Sequence, residues 1–143
     1  SDQDRWSECF DKIKEVLLEN LDFLEVVSGG AEGFDELMCV VAWNLKIPYH
    51  LVIPNPGYPE HYWRKKSVTG EDRFETYQWY VSNSASLTYV SDKVYDQGRH
   101  TNFLRNEYMV DNSDFAIVCR SNSPGTRQCH EYIMSKELPY ILI

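Results

Sequence analysis

The chain alternates short apolar runs with longer stretches in which apolar residues recur every three or four positions. Runs of four to six residues have the length of buried strands, and the periodic stretches of ten to sixteen have the spacing of amphipathic helices. Strands that alternate with helices are typical of βαβ units with a parallel sheet. We therefore expect an α/β, Rossmann-like three-layer domain with a mainly parallel sheet.

Glycine, proline and polar residues set the expected ends of these elements. The predicted strands are 23–27, 49–53, 87–90, 115–119 and 140–143, and the predicted helices are 6–21, 32–46, 71–83, 101–112 and 127–137. The second helix is apolar around much of its circumference, so we expect it to be largely buried. The order opens on a helix, whereas a doubly wound sheet normally opens on a strand. We therefore expect that a first strand is absent from these residues.

Length and charge narrow the class of protein. The 143 residues fit one domain, 1–143, and 43% hydrophobic with 25% charged residues is a normal globular mixture. A net charge of −8 without any basic run argues against a surface that binds nucleic acid or anionic membrane. We see no apolar stretch of membrane-spanning length and no basic segment followed by an apolar one at the start, so we expect neither a membrane span nor a signal peptide. We expect a cytoplasmic protein.

The cysteines give no indication of a metal site. Cys9, Cys39, Cys119 and Cys129 are far apart, and none forms a short CxxC-type pair with another cysteine or a histidine. Cys39 and Cys119 lie within apolar runs, where cysteine behaves as a small hydrophobic residue. We expect four reduced thiols, no bound metal and no required cofactor.

The first candidate site is the glycine-rich turn between the first predicted strand and the second helix. Its residues are Ser28, Gly29, Gly30, Gly33 and, in the first turn of the helix, Asp35. Glycines allow the backbone to approach a ligand, and a helix N-terminus offers free N–H groups that suit phosphate. The spacing is neither GxGxxG nor a P-loop, so a plain tight turn is the alternative.

The second candidate site lies between the fourth predicted strand and the last helix. Small hydroxyl residues and a glycine at a helix start favour anion binding, and a following carboxylate suits ribose hydroxyls or acid–base chemistry. The candidates are Ser123, Gly125, Thr126 and Glu131. A simple turn with a helix cap at Thr126 explains the same pattern.

The third candidate is a polar face on the helix 101–112. Helical spacing places Asn102, Arg105, Asn106 and Met109 on one side, where they could face a crevice at the carboxyl ends of the strands. The alternative is a surface ion pair of Arg105 with Glu107 or Asp111.

Three stretches in this order resemble a known family. They read VVSGGAEGFDELMCVVAWNLKIP at 26–48, PEHYWRKKS at 59–67 and RNEYMVDNSDFAIVCRSNSPGTRQCHEYI at 105–133. Together they are similar to the YpsA-like branch of the SLOG (SMF/DprA-LOG) superfamily, whose members occur in bacteria and phages. The resemblance runs from about Leu24 to Ile143. It implies a Rossmann-like sheet whose glycine-rich loops bind a nucleotide or nucleotide-derived ligand.

The sequence also departs from that family. The family's opening strand, with its Thr-Gly-His/Tyr-Arg-like turn, is not seen here, and relatives often carry two glycines where Pro124 and Gly125 stand. LOG enzymes use a PGGxGTxxE-like motif whose glutamate follows closely. Glu131 lies five residues after Thr126, so the catalytic spacing is not reproduced.

Three functions remain open from the sequence. The first is a sensor, carrier or sequestering protein for a nucleotide or an ADP-ribose-like molecule, with the candidates above as ligand-binding residues and with homo-oligomers possible. The second is a LOG-like nucleoside-monophosphate N-glycosidase or phosphoribohydrolase with Glu131 or Asp35 as the catalytic carboxylate. The third is a protein-interaction or regulatory module with a vestigial pocket. Its partner surface would be aromatic, formed by Tyr58, Tyr62, Trp63, Trp79 and Tyr80.

Overall fold

Helices and strands alternate along the whole described chain. The structure, a computed structural model, describes residues 2–21, 24–65, 67–92 and 99–143. The helices are α1 Asp2–Leu18, α2 Phe34–Asn44, α3 Phe74–Asn83, α4 Arg99–Asp111 and α5 Pro124–Ser135. The strands are β1 Val26–Ser28, β2 Tyr49–Ile53, β3 Ser86–Tyr89, β4 Ala116–Val118 and β5 Tyr140–Leu142. The α/β, Rossmann-like fold class predicted from the sequence is confirmed.

The strands form two parallel sheets instead of the one continuous sheet that we expected. β2 lies between β1 and β3, with Val26 opposite Tyr49 and Leu51 opposite Leu87. β4 pairs with β5, with Ile117 opposite Ile141. Within the described residues, β1 and β4 each have a strand on one side only. A cleft lies between β1 and β4. On one side of it the strands follow the order β1, β2, β3, and on the other side the order β4, β5, so the order of strands reverses at the cleft.

The hydrophobic core is divided in the same way. The larger cluster joins α1, α2 and α3 with the three-stranded sheet, and its most enclosed side chains include Ile13, Leu37, Val41, Ile53 and Trp63. The smaller cluster has Val110, Val118 and Ile133 as its buried members. β5 is exposed along its length. Most of the hydrophobic stabilisation therefore resides in the first half of the fold.

Several element boundaries differ from the predicted ones for local physical reasons. α5 begins at Pro124 instead of Arg127, because the side chain of Ser123 caps the helix and proline is tolerated in a first turn. α4 begins at Arg99, two residues before Thr101. Residues Glu60–Lys65, expected as part of a polar connection, form a π-helical turn.

The aromatic residues proposed as a partner surface are mostly internal. Tyr58, Trp63 and Tyr80 are buried in the larger core, and Trp63 donates its indole N–H to the carbonyl oxygen of Gly30 at 3.0 Å. Trp79 alone of the five counts as exposed, and it packs edge-on against Trp43. These aromatic side chains mainly build the fold. Within the described residues, we find no helix long and apolar enough to cross a membrane.

Candidate functional site: a cleft between two glycine corners

The first corner, residues 28–33, connects β1 to α2 and satisfies its own hydrogen bonds. The hydroxyl of Ser28 donates to the carbonyl oxygen of Asp35 at 3.0 Å and accepts from the N–H of Gly30 at 3.3 Å. The carboxylate of Asp35 accepts from the N–H of Ala31 at 3.2 Å. Asp35 therefore occupies the position that an anionic ligand would take at this helix start.

Two glycines of the first corner have a backbone that other residues rarely adopt. Gly30 has φ 64° and Gly33 has φ 93°. A Cβ at Gly30 would collide with the Cδ1 methyl of Ile53, whereas one at Gly33 would meet nothing within 4 Å. Gly33 precedes α2, and Glu36 reaches back to accept its N–H at 2.8 Å. The glycines here fit a tight turn packed against β2.

A buried ion cluster holds the first corner from behind. Arg73 donates to Glu32 at 2.7 Å and to Glu36 at 2.6 Å, and the hydroxyl of Tyr80 donates to Glu36 at 3.0 Å. Both carboxylates are nearly buried. No local motif in the sequence pointed to this cluster, because Arg73 lies far along the chain from its partners.

Arg105 lies against the first corner on the cleft side. Its guanidinium donates to the carbonyl oxygen of Gly29 and, through Nε, to the side-chain oxygen of Asn106 at 3.0 Å. Burial raises the pKa of the Asp35 carboxyl, while the nearby Arg105 charge and the amide hydrogen bonds act in the opposite direction. Arg105 is buried, so it does not form the surface ion pair considered from the sequence.

The second corner, residues 123–126, is more open. Ser123 caps α5: its hydroxyl accepts from the N–H of Thr126 at 3.3 Å and donates to the Thr126 hydroxyl at 2.9 Å. A Cβ at Gly125 would meet nothing within 4 Å. The start of α5 therefore has space in front of it, with two hydroxyl groups beside it.

Neighbouring residues of α4 join the two corners. Arg105 contacts the first corner through Gly29, and the amide of Asn106 donates to the carbonyl oxygen of Gly125 at 3.2 Å. The same amide donates to the side chain of Gln128 at 3.1 Å. The two corners therefore lie side by side, at the carboxyl ends of β1 and β4, and we call this edge the rim.

Below the rim is a cavity of about 990 Å³ between β1 and β4. The predicted polar face of α4 lines it in full, through Asn102, Arg105, Asn106 and Met109. Tyr58 and Tyr62 form an aromatic wall, with ring centres 4.5 Å apart. Open α/β sheets bind ligands at this place, where the order of strands reverses.

The predicted site residues divide into two groups. Those lining the cavity are Asp35, Arg105, Asn106, Ser123, Gly125 and Thr126. Ser28, Gly29, Gly30 and Gly33 are not among the lining residues, and Glu131 is exposed on α5, also outside the lining. Sequence reasoning did not select Ala31, Glu32 or Ser121, which also line the cavity. Their only signal is that they flank residues that were selected.

The described residues contain no group of three or more His, Cys, Asp or Glu side chains arranged to hold a metal ion. All four cysteines are free thiols.

Comparisons with known proteins bear on the fold. No family model and no curated protein matches the chain. Among solved structures, the chain resembles a crystal structure from Syntrophus aciditrophicus described as a "putative molybdenum carrier protein", with a TM-score of 0.53 and 21% sequence identity. The match covers 83% of this chain and 61% of that one, so this chain spans less than two thirds of its neighbour's length. At this identity the likeness shows the shared Rossmann-like fold.

Proposed function

We propose that this protein binds a nucleotide or a nucleotide-derived, ADP-ribose-like molecule at the rim, as a sensor, carrier or sequestering protein of the YpsA-like branch of the SLOG superfamily. The supporting observation is the bridge made by Arg105 and Asn106, which brings both corners to one cleft. The resemblance of residues 24–143 to that branch supports the choice of ligand class.

The phosphate end of the ligand belongs at the second corner. α5 has 12 residues, and its N-terminus carries a partial positive charge that attracts an anion. The hydroxyl groups of Ser123 and Thr126 lie beside it, and Gly125 leaves room for close approach. The first corner is less suited to phosphate, because the N–H groups of Gly30, Ala31 and Gly33 already bond to side chains of the protein.

The rest of the ligand belongs on the opposite side of the rim. Asp35 lines the cavity and, with acceptor capacity beyond the N–H of Ala31, can accept a hydrogen bond from a sugar hydroxyl. The half-buried ring of Tyr62, packed against the buried Tyr58, offers a surface on which a base can stack. The net charge of −8 does not oppose this, because a helix start acts within the screening length of about 8 Å.

N-glycosidic hydrolysis has less support. Of its two predicted carboxylates, Glu131 lies outside the cavity lining, and Asp35 accepts hydrogen bonds from its own corner. A general acid or base must reach the reacting atom, so binding is the function that the geometry favours.

Calorimetric titration and thermal unfolding with AMP, ADP and ADP-ribose test the proposal, with molybdate as a further arm because of the carrier protein that shares the fold. A ligand at one hundred times its Kd adds about 2.7 kcal/mol to the free energy of unfolding. Gly125→Val fills the open space at the second corner, so we expect it to weaken nucleotide binding at least about tenfold. Release of free base during the titration would favour the hydrolase instead.

Ser135→Val is the matched control, because Ser135 is exposed at the other end of α5. We expect this variant to bind like the original protein. No binding of any nucleotide, or equal affinity in the Gly125→Val variant, would refute the proposed site. Binding of molybdate without binding of any nucleotide would show that the ligand of this site is a simple oxyanion.

A further inference from the structure

Three polar side chains form a hydrogen-bonded row across the three-stranded sheet, and we call them the triad. Nε2 of His50 lies 2.9 Å from a carboxylate oxygen of Glu25, and Nδ1 lies 2.6 Å from the hydroxyl oxygen of Ser86. Glu25 directly precedes β1, His50 is the second residue of β2, and Ser86 is the first residue of β3. The triad therefore lies at the amino ends of these strands, and the rim lies at their other ends.

The register of the sheet holds the triad on one face. His50 pairs with Ser86 on β3 and with Val27 on β1, and Glu25 lies two residues before Val27. Side chains two residues apart along a strand face the same side of a sheet. The positions of the three side chains are thus fixed by strand pairing, which places groups more precisely than a loop does.

The carboxylate of Glu25 determines which nitrogen of His50 carries the proton. An ionised carboxylate can only accept hydrogen bonds, so in the neutral ring Nε2 bears the hydrogen and donates it to Glu25. Nδ1 then has a free lone pair, which accepts from the hydroxyl of Ser86. In this arrangement a base can remove the proton of a serine hydroxyl and make its oxygen a nucleophile.

The oxygen of Ser86 is accessible, and a donor for an oxyanion lies beside it. Ser86 is exposed, and the side chain of His50 is 28% exposed. The N–H of Ala85 donates to the carbonyl oxygen of Tyr49 at 2.7 Å, on the β2 side, so that of Ser86 points to the outer edge of β3. Among the described strands, none pairs with this edge. The N–H of Ser86 can therefore donate to the oxyanion that forms when its own side chain attacks a carbonyl.

The surroundings of the triad favour a small, neutral substrate. Glu25 and His50 line the cavity at the amino ends of the strands, together with the apolar side chains of Leu24 and Phe115. These two offer a surface to an acyl chain of a few carbons. Glu25 and Asp114 place two carboxylates at the same end of the cavity, which disfavours an anionic substrate.

We propose that Ser86 and His50, positioned by Glu25, hydrolyse neutral short-chain acyl esters. Oγ of Ser86 bonds to the acyl carbon while its proton passes to Nδ1 of His50, and His50 then gives that proton to the departing alcohol oxygen. In the second half, a water oxygen bonds to the acyl carbon, a water proton passes to Nδ1, and Oγ leaves with that proton. The products are the alcohol, the carboxylic acid and free Ser86.

Turnover of p-nitrophenyl acetate and labelling with a fluorophosphonate test the proposal on the full chain. A fluorophosphonate bonds through its phosphorus to an activated serine oxygen and loses fluoride, and peptide mass spectrometry locates the label. We expect the label on Ser86, and we expect kcat for the ester to fall at least about 100-fold in Ser86→Ala and in His50→Gln. Ser82→Ala is the matched control, because it removes an exposed serine of α3, and it should turn over the ester like the original protein.

Glu25 touches no reacting atom, so its variants have a different expected pattern. Glu25→Gln places an amide beside Nε2 that can donate to it and favour the other tautomer of His50. We expect kcat to fall at least about tenfold while KM stays unchanged. Glu25→Asp keeps a carboxylate and should retain more activity than Glu25→Gln. The opposite order would refute the positioning role of this carboxylate.

Two results would overturn the proposal as a whole. One is equal turnover in the original protein and in Ser86→Ala, and the other is a protein whose Ser86 takes no fluorophosphonate label. A lower Tm of Ser86→Ala and His50→Gln with unchanged turnover would make the triad a cross-strand contact that only stabilises the sheet. Binding of AMP or ADP-ribose at the rim should be the same in Ser86→Ala, so failure of either proposal leaves the other standing.

Discussion

The two glycine corners look alike in sequence, yet they differ in how their hydrogen-bond donors are used. In the first corner, the N–H of Ala31 bonds to the carboxylate of Asp35, and the N–H of Gly30 bonds to the hydroxyl of Ser28. In the second corner, Ser123 takes the N–H of Thr126 and the space before Gly125 is open. A glycine-rich helix start is thus an anion site only where the protein has not supplied its own anion.

The difference also appears in what each corner contacts. Gly30 packs against Ile53 in the larger core, and its carbonyl oxygen accepts from the buried Trp63. The second corner borders the smaller cluster, and its residues are exposed or half-buried. Substitutions in the first corner should therefore change stability, and substitutions in the second should change binding.

The largest effect is expected at Asp35. Asp35→Ala leaves the N–H of Ala31 without its acceptor and removes the charge facing Arg105, so we expect the free energy of unfolding to fall by about 3–4 kcal/mol. Urea unfolding measures it. Asp111→Ala is the control, since Asp111 is an exposed carboxylate that accepts only from the Tyr132 hydroxyl among the described hydrogen bonds. A loss below about 1 kcal/mol for Asp35→Ala would contradict the role given to this carboxylate.

The glycines provide the next comparison. Gly30→Ala combines a left-handed backbone with a collision against Ile53. We expect it to lower the free energy of unfolding by about 2–3 kcal/mol. Gly125→Ala places a methyl group in open space within a helix, so we expect it to raise the free energy of unfolding by about 0.5–1 kcal/mol. Similar unfolding curves for the two variants would show that the corners are equivalent after all.

A smaller loss is expected at the helix cap. Ser123→Ala removes the acceptor of the Thr126 N–H, so we expect it to lower the free energy of unfolding by about 1 kcal/mol. Ser123→Asp keeps an acceptor and should restore most of the stability, while its negative charge should weaken the binding of phosphate. Chemical denaturation and calorimetry on the same samples separate these effects. Unchanged affinity in the aspartate variant would place the phosphate elsewhere.

The smallest effect concerns two thiols behind the corners. Burial raises the pKa of Cys39, on α2, to about 12 and that of Cys129, on α5, to about 11. One pKa unit is a tenfold difference in thiolate, and Cys129 also lines the cavity. Because Cys39 is buried whereas Cys129 is partly exposed, we expect iodoacetamide to modify Cys129 faster than Cys39 at pH 8, as followed by peptide mass spectrometry. Faster modification of Cys39 would mean that the first corner opens more readily than the second.

Local patterns in the sequence were sufficient for the order of elements. The bounds of β2, 49–53, follow from a proline before the strand and another after it. The polar face of α4 followed from helical spacing, which depends only on neighbours along one helix. These features are decided by contacts within a few residues, so the sequence displays them directly.

The features that the sequence did not predict depend on distant partners. Arg73 is separated along the chain from Glu32 and Glu36 by α2, β2 and the π-helical turn, and no spacing rule connects them. The hydrogen bond from Ala31 to Asp35 depends on the direction of the Asp35 side chain, which a glycine pattern does not encode. The division of the sheet between β1 and β4 is likewise a property of pairing between segments far apart in the chain.

The carboxylate of Asp35 also has a consequence for how the protein responds to salt. Because it is tethered to the corner that it occupies, its local concentration does not fall on dilution, and dissolved anions must compete with it at a permanent disadvantage. The occupancy of the first corner should therefore not depend on ionic strength. An anion bound at the start of α5, in contrast, should be displaced when the anions of the buffer are changed.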